Sequence, residues 1–219
     1  MQERRLIHVS SPTSRIYLPF NLFPEDGRGY DSASQFSPLI DPKVPSTMYL
    51  VISTSLNPQS RSRILAQHAI GCFSNFEHDA KFFDLAQHEF PMCDGDKAYG
   101  AKAVVELTQE IVSADGIIVA SPIYNYDVSA SAKNMIELTG KAWTEKVVGF
   151  LCAAGGQGSY MAPMQAANSL MLDFRALVVP QFVYATGDKF QGDQIAEIPI
   201  EERILDLVGR VVRVSQALK

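Results

Sequence analysis

From residue 47 onward the chain alternates five times between a short, almost wholly apolar run and a stretch of helical period. Residues 48–52, 79–84, 116–120, 146–152 and 176–180 (extending toward Val183) read as strands, and the unbroken apolar runs among them suit strands buried on both faces. The stretches between carry apolar residues at helical spacing. The first has Leu65, Ala69, Cys72, Phe73 and Phe76. The second has Val104, Val105, Thr108, Ile111 and Val112. A third helix spans about 129–139. A fourth, from about residue 161, turns Met164, Ala167, Leu170, Met171 and Phe174 inward. The last buries Ile204, Leu207, Val208, Val211 and Leu218.

Strict strand–helix alternation predicts an α/β fold: a doubly wound parallel sheet with helices on both faces and right-handed crossovers. Five strands in a body of this size suit the flavodoxin-like order 2-1-3-4-5 better than a six-strand dinucleotide fold. In such sheets a ligand lies beyond the carboxyl ends of the strands, at the switch point between strands 1 and 3. The loops after strands 1, 3 and 4 should therefore carry the chemistry.

Composition divides the chain at residue 45. Six of the 12 prolines lie in the first 45 residues, and acids and bases balance there, so the later part carries the whole formal charge of −5. The expected organisation is a proline-rich arm over 1–45 and one domain over 46–219. The arm is too apolar for a freely solvated tail, with Tyr17, Phe20, Phe23, Tyr30 and Phe36 among its residues. It is expected to pack in extended form on its own or a neighbouring subunit.

The acidic balance and the lack of a basic run argue against nucleic acid as a partner. No apolar stretch approaches the roughly 20 residues that span a bilayer, and no signal-peptide pattern opens the chain. Cys72, Cys93 and Cys152 are far apart, which suggests a reducing cytoplasm and no disulfide framework. Cys93 follows His88 and Glu89 closely enough for a metal site. Unrelated surface residues in one loop are the better reading of those three, so no metal is expected.

The loop after the first strand reads Ser-Thr-Ser-Leu-Asn-Pro-Gln-Ser-Arg-Ser-Arg over 53–63. Hydroxyls around a helix N-terminus, with its free N–H groups, make an anion site suited to a phosphate monoester. The loop lacks the glycines of a P-loop or a dinucleotide fingerprint. The plainer alternative is that Ser60 or Ser62 caps the helix while Arg61 and Arg63 point to solvent. After the third strand, Pro122 is expected to end the strand. Tyr124, Asn125 and Tyr126 then emerge where aromatic faces could hold a flat ring, or where one ring simply covers the core. After the fourth strand, Gly155, Gly156 and Gly158 flank Gln157, so backbone can approach a ligand closely. A flexible turn explains one such glycine better than three. Together the loops describe a mononucleotide site, most simply for FMN.

The same motifs carry a family resemblance. Residues 54–66 resemble the phosphate loop of the NAD(P)H-dependent FMN reductases. Residues 121–125, with Lys133 and Asn134, resemble their flavin-ring loop, and Gly155, Gly156 and Gly158 their third loop. The likeness covers about 47–185. It implies that Ser55, Asn57, Ser60 and Ser62 hold the FMN phosphate; Asn57 removes a cation beside it, for which Arg61 or Arg63 could compensate. It also implies that Pro122, Ile123, Tyr124 and Asn125 border the ring and ribityl chain, and that Gly155, Gly156 and Gln157 lie along the pyrimidine side. Asn57 stands where the family often has arginine, Ile123 where it often has an acid, and Tyr126 where it often has glycine.

Hydride transfer to a flavin needs no side-chain nucleophile, so no catalytic side chain is assigned. NAD(P)H would be the co-substrate. A small-molecule electron acceptor would follow: free flavin, a quinone, an azo compound or a metal oxyanion. The resemblance also implies a homodimer or homotetramer. A flavodoxin-type electron carrier is the main alternative, although such carriers often dock through strongly acidic surfaces. A non-catalytic FMN-binding protein is the other.

Overall fold

The computed structural model describes residues 48–219, so the expectations for the arm lie outside the described residues. The strands are β1 (Tyr49–Ser53), β2 (Ala80–Asp84), β3 (Gly116–Tyr124), β4 (Asp127–Val128), β5 (Val147–Ala154), β6 (Leu177–Val178), β7 (Val183–Thr186), β8 (Phe190–Gln191) and β9 (Gln194–Ile195). The helices are α1 (Arg61–Phe73), α2 (Lys102–Ser113), α3 (Ala130–Thr139), α4 (Met164–Phe174) and α5 (Ile198–Ala217). The main sheet runs β2-β1-β3-β5-β6, with β7 also on β5 and β4 on β3. β1 pairs in parallel with both β2 and β3, so the order reverses direction at β1 and β3, as expected. β8 and β9 form a separate hairpin that the periodicity does not announce.

Alternation along each strand divides the core between two faces. Leu50, Ile52, Ile117 and Val119 pack with Leu107 of α2, Met135 of α3 and Leu170 of α4. Tyr49, Val51, Ile118 and Ala120 pack with Leu65 and Phe73 of α1 and Ile204, Leu207 and Val208 of α5. Gly116 permits the close approach of α5, because a Cβ there would lie 2.6 Å from Val211 Cγ1.

Five expectations change. The strand that Pro122 was expected to end runs through it to Tyr124, with Pro122 paired to Ala153 of β5. Ala120 turns its carbonyl to Thr54 on the β1 side. By alternation Pro122 turns its nitrogen the same way, past the end of β1, so no ladder bond is lost. The expected fifth strand is broken into β6 and β7. Pro180 has no N–H to pair, and Gln181 is left-handed at φ 65°; four residues, 179–182, span only two of β5 between the paired segments.

Helix faces shift as well. Val105 and Val112 are exposed, while Ala103, Val104, Leu107 and Ile111 face inward. Met171 of α4 is exposed and Ala166 takes an inward place. Finally, Leu218 lies past the end of α5 and is exposed.

Candidate functional site

A cleft of about 330 Å³ opens beyond the carboxyl ends of β1, β3 and β5, near the lower end of the range for ligand pockets. It is lined by Ser55, Asn57, Gln59, Ser60, Arg61, Ser62, Pro122, Ile123, Tyr124, Ala153, Ala154 and Gly155. Nine of the twelve residues expected from sequence are in that lining. Asn125 sits at the top of a turn, and Gly156 and Gln157 lie on the loop just beyond. Gln59, Ala153 and Ala154 went unmarked. The two alanines carry no chemistry of their own and reach the cleft because β5 extends two residues further than expected.

The loop between β1 and α1 is shaped by its own side chains. Ser55 Oγ accepts from the Asn57 amide at 3.3 Å, and Asn57 Oδ1 accepts from the Gln59 amide at 2.9 Å. Ser60 caps α1, accepting from the Arg63 amide at 3.1 Å, and its hydroxyl meets that of Ser62 at 3.0 Å. The capping alternative is therefore correct for Ser60. The cap uses the third amide of the helix, and the amides of Arg61 and Ser62 have no intrahelical acceptor.

The two arginines of this loop part company. Arg63 turns away from the cleft and grips Asp84 at the end of β2, with Nε at 2.6 Å and Nη2 at 3.3 Å. It also donates to the carbonyls of Ser55, Asn57 and Pro58. Arg63 is thus a clamp on the loop and not a cation for a ligand. Arg61 lines the cleft.

Under the cleft, hydroxyls tie three elements together. The amide and hydroxyl of Thr54 both donate to the Ala120 carbonyl, at 2.9 and 3.1 Å. Ser129, the cap of α3, meets the hydroxyls of Thr54, Ser121 and Ser131 within 3.3 Å. Ser53 Oγ, beside them in sequence, is buried and finds no partner among the described residues. Asn134 of α3 accepts from the Cys93 amide and donates to the Pro91 carbonyl, both at 2.8 Å, so it anchors that neighbouring loop.

β3 and β4 form a hairpin, pairing Tyr124 with Asp127. Its two turn residues, Asn125 and Tyr126, are left-handed at φ 49° and 70°. Two positive φ values suit the twist of a tight hairpin. They also explain why glycine would be at ease at position 126. After β5, the glycine loop is held from β7: Tyr184 donates to the Gly156 carbonyl at 2.6 Å, and Gln157 Nε2 lies 3.4 Å from Thr186 Oγ1. Burial pushes the Tyr184 phenol above its usual range, which keeps it a donor.

None of the described histidines lines the cleft. His88 stacks on Phe83 with centroids 4.0 Å apart, and His68 and His78 lie by Glu201 and Gln216. Among the described residues no three His, Cys, Asp or Glu side chains converge to hold a metal ion. No described helix is long and apolar enough to cross a membrane.

The donor set fits a phosphorylated flavin. Hydroxyls, amides and one guanidinium come from the α1 side, and Pro122, Ile123, Ala153 and Ala154 present carbon from the strand ends. Comparison with known proteins points the same way. A family model described as NADPH-dependent FMN reductase matches residues 47–191. An NAD(P)H-dependent FAD/FMN reductase of Geobacillus thermodenitrificans is 28% identical over 146 residues, 65% of this chain and 79% of its own length. An NADPH azoreductase of Bacillus sp. strain OY1-2 is 24% identical over 150 residues, 68% of this chain and 82% of its own. The fold is shared with a flavoenzyme NAD(P)H:(acceptor) oxidoreductase from Paracoccus denitrificans, at a TM-score of 0.65 and 17% identity over 78% of this chain and 98% of that one. The match to the family model covers the sheet and all three loops of the cleft, and the chain belongs to the NADPH-dependent FMN reductases, as an oxidoreductase that uses NAD(P)H and FMN.

Proposed function

We propose that the cleft between the three loops is where FMN binds. The amides of Arg61 and Ser62 and the hydroxyls of Ser55, Ser60 and Ser62 would take its phosphate. Pro122, Ile123 and Tyr124 would border its ring on one side, and Gly155 and Gly156 on the other. Bound FMN supplies the hydride acceptor for NAD(P)H and the donor for a second substrate. The protein's own part is to orient: the Arg63 clamp fixes the phosphate loop, the Ser129 hydroxyl network joins β1 to β3, and Tyr184 holds the glycine loop.

One observation carries this reading beyond family membership. A Cβ on Gly155, Gly156 or Gly158 would meet nothing within 4 Å, and none of the three has a positive φ. Neither packing within the described residues nor backbone geometry calls for glycine there. A ligand lying against the loop does, because only then must the backbone stay bare.

The acceptor we propose is a small oxidised molecule, either free flavin, a quinone, an azo compound or a metal oxyanion. The names of the two curated relatives support flavins and azo compounds first. We also place the protein in the cytoplasm, as a homodimer or homotetramer. Three free cysteines support the first, and exposed Tyr126 and Met161 on the loops after β3 and β5 support the second. Purified protein supplied with FMN and each nicotinamide in turn, then with each acceptor class, tests the assignment. Nicotinamide oxidation that depends on FMN and rises with one acceptor class is the expected result. FMN-independent oxidation, or none with any acceptor, would sink it.

A further inference from the structure

Tyr126 occupies a position that its backbone does not suit. It is the second turn residue of the β3–β4 hairpin, left-handed at φ 70°. A side chain strains that conformation and glycine does not. The ring is 59% exposed, and among the described residues it makes no hydrogen bond and no ring contact. Nothing in the packing therefore offsets the strain. A strained, exposed side chain at the rim of a cleft points to a use outside the fold. Glycine, which the family often has here, would be at ease, so the tyrosine is a departure of this chain and not a family trait.

Its surroundings say what that use is. Tyr124, two residues earlier, lines the cleft. The phenol of Tyr126 lies near enough to that of Tyr184 to act on its charge. Tyr184 in turn holds the glycine loop through the Gly156 carbonyl and meets the ring of Tyr160 edge-on, with centroids 5.5 Å apart. Tyr160 leans on Phe182 at 5.1 Å and keeps 42% of its surface open. Tyr126 and Tyr160 thus present open ring surface from the loops after β3 and β5, both beside Tyr184. The surround is almost without charge. No charged residue occurs from Val147 to Leu172, and the residue after Tyr126 is an acid, Asp127. Ring faces without a cation suit a flat conjugated molecule, and an adjacent carboxylate repels an oxyanion.

We propose that Tyr126 is a specificity residue for the second substrate, stacking on a flat conjugated electron acceptor at the rim of the cleft, with Tyr160 as a second ring of the same surface. The proposal rests on the assignment of the cleft to FMN. It narrows the acceptor to molecules with a ring face, quinones among them, and sets metal oxyanions aside. A 1,4-quinone would take the hydride that NAD(P)H supplies and one proton from solvent, and leave as the hydroquinone. A subunit contact at the same ring is compatible with this role where a cleft opens at an interface.

The test is steady-state kinetics of the full-length, FMN-loaded protein at saturating NADPH or NADH, with two acceptors run in parallel. One is 1,4-naphthoquinone, which has a ring face. The other is ferricyanide, a rigid anion that has none. Tyr126→Gly should raise KM for the quinone about 2- to 10-fold, the range for an aromatic pair. Its kinetics with ferricyanide should stay those of the wild type. Its melting temperature should hold or rise, since the strain is relieved, so a weaker quinone reaction is not a loss of fold. Tyr126→Phe, which keeps the ring face, should behave as the wild type with both acceptors. Tyr160→Ala should raise the quinone KM by a smaller factor. If Tyr126→Gly leaves the quinone KM unchanged, or slows both acceptors alike, or if Tyr126→Phe fails as Tyr126→Gly does, the role of Tyr126 is wrong while the cleft remains a flavin site. If the wild-type chain binds no FMN, or oxidises neither nicotinamide with FMN bound, both the cleft assignment and this proposal fall.

Discussion

Arg63 and Asp84 join the loop after β1 to the end of β2 through two hydrogen bonds, Nε–Oδ2 at 2.6 Å and Nη2–Oδ1 at 3.3 Å. Both side chains are largely buried, at 14% and 7% exposure. Removing one partner would leave the other charge buried and uncompensated. Asp84→Asn should therefore cost about 3 kcal/mol, the lower end for a broken buried pair, because three carbonyls still satisfy part of Arg63. Urea unfolding measures that loss. FMN affinity should fall with it, since the same guanidinium shapes the phosphate loop. A variant that loses stability but binds FMN as before would separate the clamp from the site.

Gly155 gives the opposite pattern. Its Cβ position is open, so Gly155→Ala should change stability by less than about 0.5 kcal/mol, as for an unencumbered surface site. If FMN lies against this loop, the added methyl should still weaken FMN binding several-fold. Thermal melts and flavin titration, run on the same preparation, check both halves.

Tyr126 holds φ 70° in the hairpin turn between β3 and β4. A left-handed non-glycine residue costs about 1–2 kcal/mol, and glycine returns part of that gain through the entropy of the unfolded chain. Tyr126→Gly should accordingly raise stability by about 0.5–1 kcal/mol. Tyr126→Ala, which keeps the strain, should show no such gain. Equal effects from the two substitutions would mean that the turn is not strained.

Alkaline pH should destabilise the fold through Cys152. Burial pushes this thiol well above its ordinary value of 9.0, and Cys72 shifts in the same direction for the same cause. Each raised value favours the protonated thiol in the folded state. Their contribution is whole below pH 9 and is lost as pH rises above it, when the unfolded chain ionises and the folded one does not. For Cys152 the slope approaches about 1.4 kcal/mol per pH unit. Cys152→Ala should flatten the alkaline limb of a stability–pH profile. An unchanged limb would put the titration elsewhere.

Much of this architecture is legible in the chain itself, for identifiable reasons. The runs ending at Ile52 and Ala120 are buried on both faces, so burial leaves an unbroken apolar signal. The strand ends then place Ser55, Pro122 and Gly155 at one edge without any tertiary information. Legibility fails where a distant partner decides. Nothing near Pro122 reveals that β1 has already ended beside it. Nothing near Met171 or Val112 shows that Ala166 and Leu107 take the inward places. Arg61 and Arg63 look equivalent until Asp84 claims one and Phe190 seats the other.

The most direct test of the FMN site is an anaerobic titration of the FMN-loaded protein with NADPH and, separately, NADH. One equivalent of at least one nicotinamide should bleach the visible band of the bound flavin, and an added acceptor should restore it. In Arg61→Ala the band should shift toward that of free flavin at the same concentrations. A wild-type protein that leaves FMN unbound, or binds it and shows no bleaching with either nicotinamide, would contradict the account.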